Sequence, residues 1–440
     1  MIRALTLSLV LATSAVAQTE PQPIKRITLD DAIKLALERN YDIQRQMLLT
    51  LSSEQDRIIA RSAILPSLDF NASSTVARIN GTQFSGNVPI PGGGLTTVDW
   101  NHRLSGTITQ LVFDGGKWWN NLSGADLTLQ ASRATLDEQR LQTVYLVEQR
   151  FYELIRAQRQ LQVLSEAATR SRDQADFVQR LFEGGRATQA DVYAARANRD
   201  NDEVVRLGAE RTVELARADL AVSIGVETDE ALAVVEPQRL FEDPSQPPAA
   251  REAIARAMDN RPALKAAQLT VQAGHKFATA ARGDYWPRIS LQGGYSRSSS
   301  ELSTTYTRDP RLDSQFTAGV LLTWNVFNGF NTSAQANKAD LQAALSENDL
   351  FNARRNVASD VEKAVAQLAT ARSQARVAVE TEKNAQENLR LAHARQQVGV
   401  GTQLEVRDAE LKLTQAQLFR VGALVDGREA EAALRRAQGG

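Results

Sequence analysis

The chain has 440 residues, with 51 Lys and Arg against 52 Asp and Glu, so its formal net charge is −1. This balance disfavours nucleic-acid binding, which requires a basic face or stripe. Cysteine is absent, which excludes disulfides, thiolate metal sites and cysteine nucleophiles.

The N-terminus predicts an export signal. Residues Met1–Ala17 combine an early positive charge at Arg3, an apolar run, and small residues at Ala15 and Ala17. This pattern is typical of a secretory signal peptide, so the mature protein is expected to begin near Gln18, outside the cytoplasm. No later stretch of the sequence is apolar enough to predict a membrane helix, so any membrane contact is expected to be peripheral or through β-structure.

The rest of the chain repeats itself once. Leu29–Gln44 aligns with Ala250–Lys265 at a larger offset, and Gly185–Thr188 aligns with Gly399–Thr402 at a smaller one. The two offsets differ by seven positions, so the second copy is shorter. Because exposed loops tolerate deletions, the difference predicts such a loop in both copies. We expect three mature segments: a first repeat at 18–225, an acidic, Pro-rich connector at 226–248, and a second repeat at 249–440.

Each repeat contains two strand-like segments. The first pair is expected within about 66–113, flanking a loop with the sequence GNVPIPGGG, and the second within about 287–327. Strands of about 10 to 13 residues match the roughly 9–11 that cross a bilayer when tilted. A soluble β-sandwich with buried tryptophans is the alternative.

All five tryptophans lie in or beside these hairpins, where they predict interfacial contacts with outer-membrane lipid. Trp100 is expected near the end of a loop and Trp324 within a strand. The full set is Trp100, Trp118, Trp119, Trp286 and Trp324.

Helical periodicity fills the remaining segments. A coiled-coil-like seam is predicted by apolar residues at Val147, Phe151, Leu154, Ala157, Leu161 and Leu164, and it recurs at the smaller offset from Val361. Two long helices are expected at about 114–183 and 330–398, each about 105 Å long at 1.5 Å per residue. Four helices of about half that length are expected near 28–64, 188–224, 249–285 and 402–436.

The helix lengths predict that each repeat packs one long helix antiparallel against two short ones. A hairpin lies at one end and a Gly-containing turn at the other, at about 183–192 and 398–408. Four strands cannot close a barrel, and an open sheet edge in lipid leaves backbone groups unsatisfied. The chain is therefore expected to oligomerise, with a copy number that the physics leaves open.

The doubled motifs resemble those of the TolC-like outer membrane factor family over essentially the whole mature chain. They are ITLDDAIKLALERN, LPSLDF and WPRISL before the hairpins, LVFDGG and NVFNGF after them, and the turn segments EGGRATQADVYAA and VGVGTQLEVRDAE. The resemblance implies a mixed α+β membrane protein of the cell outer membrane. It would be a homotrimer whose hairpins, two per chain, build a twelve-stranded β-barrel, above an α-barrel of long helices in the periplasm.

The family's function is implied in the same way. The chain would be a channel-tunnel subunit, the passive exit duct of a tripartite efflux pump or a type I secretion system, gated at its periplasmic end. Its partners would be a periplasmic adaptor and an inner-membrane pump of the RND or ABC type. The cargo stays open between a drug, a metal ion and a secreted protein, because a passive duct takes its specificity from the pump.

Carboxylates near the turns are candidates for the gate. Glu405 and Asp408 are three residues apart and share a helix face. The resemblance places them at a periplasmic aperture, together with Asp191 of the first repeat, where three copies would form an acidic ring that attracts cations. The alternative is an acidic first helical turn favoured by the helix dipole. Relatives carry a basic residue near the position of Gly401, so the contact that holds the closed state differs here.

The turn residues themselves are candidates for adaptor docking, because exposed turns carry function when a rigid scaffold presents them. They are Gly185, Arg186, Thr188, Gly399, Gly401 and Thr402. The alternative is that they only reverse the chain.

An enzyme is not expected. The sequence lacks G-x-S-x-G, Walker A and H-E-x-x-H motifs, and its histidines are scattered at His102, His275 and His393. We expect no catalytic residues, cofactor or structural metal. The other alternative is a periplasmic adaptor or structural coiled-coil protein without a transmembrane barrel.

Overall fold

The computed structural model describes residues 25–85, 88–227, 232–302 and 314–440, and the predicted signal peptide lies outside these ranges. The chain forms two compact units. The first comprises the residues up to Tyr41, Gln142–Pro248 and Ala364–Arg436. The second comprises Asp42–Leu141, Ala249–Lys363 and Ala437–Gly440.

The elements follow the order of the two repeats. They are β1 (Lys25–Ile27), α1 (Leu29–Arg39), α2 (Tyr41–Ser62), β2 (Ser67–Ser85), β3 (Val88–Phe113), α3 (Lys117–Glu183), α4 (Gln189–Ile224), β4 (Leu232–Val234), α5 (Ala250–Asn260), α6 (Pro262–Arg282), β5 (Arg288–Ser299), β6 (Ser314–Thr323), α7 (Asn331–Gln397) and α8 (Gln403–Gln438). Short 3-10 turns lie at Gln238–Phe241 and Gly283–Tyr285.

The repeats have equal helix lengths. The helices α3 and α7 have 67 residues each, and α4 and α8 have 36 residues each. None of the helices in the described ranges is long and apolar enough to span a membrane.

The segments expected to be helical at about 28–64 and 249–285 are helical, but the structure interrupts each of them once. The chain is extended at Asn40, between α1 and α2, and at Arg261, between α5 and α6. These positions are equivalent at the larger of the two repeat offsets. Pro262 explains the second break, because a proline disfavours helical geometry in the residue before it. At the first break, the side-chain amide of Asn40 is buried and donates to the main-chain carbonyl of Ser223 at 2.9 Å.

The second unit contains a four-stranded antiparallel sheet in the order β2-β3-β5-β6. Strands β5 and β6 have 12 and 10 residues, as expected, but β2 and β3 have 19 and 26. The predicted loop GNVPIPGGG is therefore wrong over residues 88–94, which belong to β3. The register shifts between Thr82, which pairs with Gly94, and Phe84, which pairs with Pro89, so residues 90–93 lie in an irregular part of the ladder.

The core of the first unit lies where its helices meet the short parallel pair β1 and β4. The predicted seam is confirmed at Val147, Phe151, Leu154 and Ala157, which are all buried. Leu161 and Leu164 at its end are only half-buried. Its repeat begins at Val361, which is also buried.

The connector between the repeats is held against α8 by hydrogen bonds. Arg428 is buried and donates to the main-chain carbonyls of Arg239 and Glu242, while Glu431 accepts from the amide of Ser245 at 2.7 Å. The described part of the connector also contributes β4, which the sequence pattern did not predict.

Candidate functional site

The first turn reverses the chain between α3 and α4. The amide of Arg186 donates to the carbonyl of Leu181 at 2.7 Å, and Gly185 has a φ of 68°, a left-handed conformation that favours glycine. Thr188 then caps α4 by accepting from the amide of Asp191 at 3.3 Å. The Asp191 carboxylate accepts in return from the amide and the hydroxyl of Thr188, at 2.9 and 2.7 Å. This reciprocal arrangement is a capping box.

The second turn has the same plan between α7 and α8. Gly399 has a φ of 80°, and the amides of Val400 and Gly401 both donate to the carbonyl of Arg395, at 3.0 and 2.9 Å. Thr402 accepts from the amide of Glu405 at 3.2 Å.

Position 401 requires glycine because backbone atoms of the preceding helix lie very close to it, and not because of its backbone angle. A Cβ atom at this position would lie 2.8 Å from the amide nitrogen of Gln396 and 2.9 Å from the carbonyl carbon of Arg395. The turn therefore has no room for a side chain at Gly401.

The three candidate carboxylates differ in what they contact. Hydrogen bonds from the side chain and backbone of Thr188 lower the pKa of Asp191. Glu405 lies 3.5 Å from Nε of Arg395, and Asp408 lies 2.6 Å from Nζ of Lys412. Glu405 and Asp408 are both about half exposed. Asp191 is therefore anchored in a helix cap, whereas the other two form exposed ion pairs that water screens.

A buried charge network lies beside this acidic face, and the sequence reasoning missed it. Arg407 on α8 donates to both carboxylate oxygens of Asp202 on α4, at 2.7 and 2.8 Å. The Glu410 carboxylate is almost fully buried and lies 3.8 Å from Arg407. Burial raises the pKa of Glu410, against the opposing charges of Arg407 and Arg170. The hydrogen bond to Asp202 raises the pKa of Arg407.

A cavity of about 180 Å³ joins this network to the first turn. Its lining includes Asp191 at the start of α4, Leu404 at the start of α8, and both Arg407 and Glu410. Residues from the two repeats thus share one site. One signal in the sequence could have predicted this network. Arg407 and Glu410 are also three residues apart, so they share a helix face, as Glu405 and Asp408 do.

Equivalent apolar contacts support both turns. Ala175, Val178, Val192 and Ala195 pack together where α3 meets α4. The same positions in the second repeat, at the smaller offset, pack where α7 meets α8. These are Leu389, Ala392, Val406 and Ala409. The repeat seen in the sequence is therefore a repeat of packing.

The tryptophans lie around the sheet of the second unit, and two of them are displaced from their predicted positions. Trp100 is inside β3, opposite Val76, rather than near the end of a loop. Trp324 follows the end of β6, and its indole donates to the carbonyl of Tyr285 at 3.2 Å. Trp118 and Trp119 open α3, and Trp286 precedes β5. Four are at least half exposed: Trp100, Trp119, Trp286 and Trp324.

Metal binding has no candidate in the part of the chain that the structure describes. No group of three or more His, Asp or Glu side chains within the described ranges could hold a metal ion.

Comparison with known proteins assigns the family. A family profile described as outer membrane efflux protein matches residues 32–226 and 253–440, one segment in each repeat. The chain belongs to the outer membrane efflux protein family. As a member of this family, it is an outer-membrane efflux channel protein, and it has a helical part in the periplasm.

The similarity to individual proteins extends over nearly the whole chain. The outer membrane efflux protein BepC of Brucella suis biovar 1 (strain 1330) is 25% identical over 419 residues, which are 94% of this chain and 85% of BepC. A membrane protein from Pseudomonas aeruginosa has a similar structure, with a TM-score of 0.80, 20% identity and 93% coverage of each chain. The outer membrane protein VceC from Vibrio cholerae gives a TM-score of 0.78 at 17% identity, covering 94% of this chain and 96% of VceC. At these identities, the two structures show a shared fold.

Proposed function

We propose that this efflux channel protein is the subunit of a homotrimeric duct, a passive conduit that receives cargo from an inner-membrane pump through a periplasmic adaptor. The observation that carries the proposal is the open four-stranded sheet. Strands β2 and β6 are its edges, and neither pairs with a further strand among the described residues. In a membrane such edges leave backbone groups unsatisfied at several kcal/mol each, so copies of the chain must complete the ladder.

Three copies would supply twelve strands in a closed barrel. Every residue of β6 is exposed, so both faces of the strand are open. Its large apolar residues Phe316, Val320 and Leu322 share one face. A barrel wall in lipid places apolar side chains outside and a lumen inside, which fits this exposure. The exposed Trp119, Trp286 and Trp324, which lie beside the strand ends, fit an interfacial girdle in contact with outer-membrane lipid.

The helix pairs supply the periplasmic part. The helix α3 begins soon after β3 and ends at the first turn, and α7 likewise connects β6 with the second turn. Each of these helices is about 100 Å long at 1.5 Å per residue. In this proposal the turn residues Gly185, Arg186, Thr188, Gly399, Gly401 and Thr402 would dock the adaptor.

The same end would contain the gate. Glu405 and Asp408 are half exposed, and they form exposed ion pairs with the side chains of Arg395 and Lys412. Three copies could therefore direct six carboxylates to an aperture. Asp191 adds a charge that its cap keeps ionised. The buried network of Arg407 and Asp202 would hold the two turns of one chain together.

Fractionation and conductance test this function. The full chain is produced with its own N-terminus in a Gram-negative host, and the mature protein is located by fractionation. We expect it in the outer membrane, extracted by detergent as a trimer, with discrete conductance steps in planar bilayers. Recovery as a soluble periplasmic monomer without conductance would reject the duct and favour an adaptor or structural coiled-coil protein.

A further inference from the structure

A cavity of about 210 Å³ lies in the first unit, where the connector meets α3 and α8. It is separate from the cavity beside the turns, since the two have different lining residues. The proposed duct leaves it without a role. Its lining includes Ile155 and Arg159 on α3, Leu240 and Phe241 in the connector, and Gln417, Val421 and Val425 on α8.

The connector is fixed on both sides of this cavity. On α3, the guanidinium of Arg159 donates to both carboxylate oxygens of Glu236. On α8, a Cβ atom at Gly427 would lie 2.5 Å from Cγ of Pro244, so the proline ring occupies the space beside the glycine. These contacts add to the hydrogen bonds of Arg428 described above. The cavity therefore has a fixed wall, as preformed ligand sites have.

The inner end of the cavity is apolar. Ile155, Leu240 and Val425 are at most 2% exposed and belong to the hydrophobic core of the first unit. Phe241 is 55% exposed, and the guanidinium of Arg159 lies 5.3 Å from the centroid of its ring. The cavity therefore leads from a buried apolar end to a mouth at Phe241.

The charged side chains around the cavity are already paired. Arg159 pairs with Glu236, and Arg420 pairs with Glu382. Glu166 accepts a hydrogen bond from a neighbouring glutamine. The lining contains two arginines and two carboxylates, so their charges cancel. A charged ligand would have to displace one of these pairs, whereas a neutral ligand leaves them intact.

One polar atom of the lining lacks a partner. Oε1 of Gln417 is shielded from solvent and accepts no hydrogen bond from the described residues. An unpaired buried acceptor is costly, because folding removes its hydrogen bonds to water. Gln417 therefore marks a point at which a hydrogen bond can orient a ligand between the apolar walls.

The volume of the cavity limits the size of the ligand. An apolar cavity of about 150 Å³ takes up benzene. At about 210 Å³, this cavity has room for one six-membered ring with small substituents. A hydroxyl substituent both donates and accepts, so it can bond to the Gln417 amide in either orientation of that amide.

We infer that the cavity binds a small neutral aromatic alcohol of the phenol class. The ring lies among Ile155, Leu240 and Val425, and the hydroxyl donates to Oε1 of Gln417. The site is contained within one chain, so it does not depend on the proposed duct. A bound phenol contacts the connector, α3 and α8 together, and it therefore stabilises the connector in its docked position.

Fluorine NMR on the detergent-extracted full-length protein tests the ligand class, with para-fluorophenol as the probe. The analogue para-difluorobenzene lacks the hydroxyl, and para-fluorobenzoate adds a charge. Protein-free micelles of the same detergent correct for partitioning. We expect saturable binding of para-fluorophenol, roughly tenfold tighter than that of either analogue. Equal binding of all three, or a preference for the benzoate, would overturn the inference.

Gln417→Leu tests the orienting hydrogen bond, because leucine keeps the size of the side chain and removes the acceptor. We expect binding of para-fluorophenol to weaken roughly tenfold, while that of para-difluorobenzene stays the same or tightens. The matched control is Gln415→Leu, since Gln415 is exposed and does not line this cavity. Val421→Phe narrows the cavity and should weaken the binding of both compounds. A preference for the phenol that survives in Gln417→Leu, or an equal loss in the control, would reject the site.

Hydrogen exchange of the wild-type protein locates the site without any substitution. A saturating concentration of para-fluorophenol should slow amide exchange across residues 238–242 and 417–425. Exchange in the turns at 183–192 and 398–408 should not change. Protection confined to other segments, or none at all, would overturn the assignment of the cavity even if the compound binds.

Discussion

Arg407 and Asp202 form two parallel hydrogen bonds, 2.7 and 2.8 Å long, between the helices that follow the two turns. Both side chains are largely buried, and Glu410 adds a second carboxylate to the same guanidinium. Bidentate Arg–carboxylate pairs are directional as well as strong. The pair therefore sets the relative position of α4 and α8 in the first unit.

Removing Arg407 should loosen this part of the structure. Arg407→Met leaves two buried carboxylates without their cation, and we expect a local destabilisation of about 3–5 kcal/mol. Amide hydrogen exchange of residues 403–414 measures it. Lys412→Met is the control, because its pair with Asp408 is exposed and contributes less than about 1 kcal/mol. Equal protection of both variants would contradict the prediction.

The stability of the same region should depend on Glu410 in a defined pH window. Because burial raises its pKa above the unfolded value, the contribution of Glu410 is fully present below the unfolded value of about 4.3. That contribution is lost as the pH rises through the folded pKa. Glu410→Gln should therefore match the wild type at low pH and become the more stable protein towards pH 7, measured by hydrogen exchange.

Glu387→Gln provides a control of opposite sign. A hydrogen bond from Arg390 lowers the pKa of Glu387, so its contribution is present above the unfolded value and is lost as the pH falls through the folded pKa. This variant should be slightly less stable than the wild type at neutral pH. If Glu410→Gln were also less stable than the wild type at neutral pH, the prediction would be wrong. The charge network would then contribute more to stability than the burial of Glu410 costs.

Gly401→Ala should disturb the second turn. Its Cβ atom would press on the backbone at Arg395 and Gln396, and we expect overpacking to cost about 1–3 kcal/mol. The melting temperature and proteolysis within residues 395–405 report the effect. Gly184→Ala in the first turn is the matched control: its nearest neighbours are 3.5 Å away, so the change should stay within about 0.5 kcal/mol. Similar losses in both variants would exclude close approach as the cause.

Arg428→Ala should release the connector. The side chain is buried and satisfies the carbonyls of Arg239 and Glu242, which would otherwise lose their partner. We expect faster hydrogen exchange and proteolysis across residues 232–248, with a cost of about 2–3 kcal/mol. Arg376→Ala should change neither, because Arg376 reaches the connector only through an exposed pair with Asp243, 3.9 Å apart.

Neutralising the exposed carboxylates should change ion block of the duct. Glu405→Gln with Asp408→Asn removes two charges per chain, and we expect the half-blocking concentration of a divalent cation to rise roughly tenfold in single-channel recordings. The control is Glu387→Gln, an exposed carboxylate before the turn on α7. Block that is unchanged by the double variant, or equally weakened by the control, would reject the acidic aperture.

Local chemistry in the sequence determined much of this protein. The two offsets predicted which residues would be equivalent, and the packing of Ala175 and Val178 recurs at Leu389 and Ala392 as they require. Spacings of three and four predicted the buried seam at Val147 and Phe151. These features depend on contacts between near neighbours along one helix or across one turn, and the sequence displays such contacts directly.

Tertiary structure decided the rest. Glycine and proline at 88–94 suggested a loop, but β3 includes these residues, and Val88, Pro89 and Gly94 pair with β2 across the hairpin. Arg407 and Asp408 are adjacent in the sequence, yet Arg407 is largely buried and Asp408 is half exposed. Successive helical residues point about 100° apart, so the faces that neighbouring helices cover decide which charge forms a buried pair and which forms an exposed one.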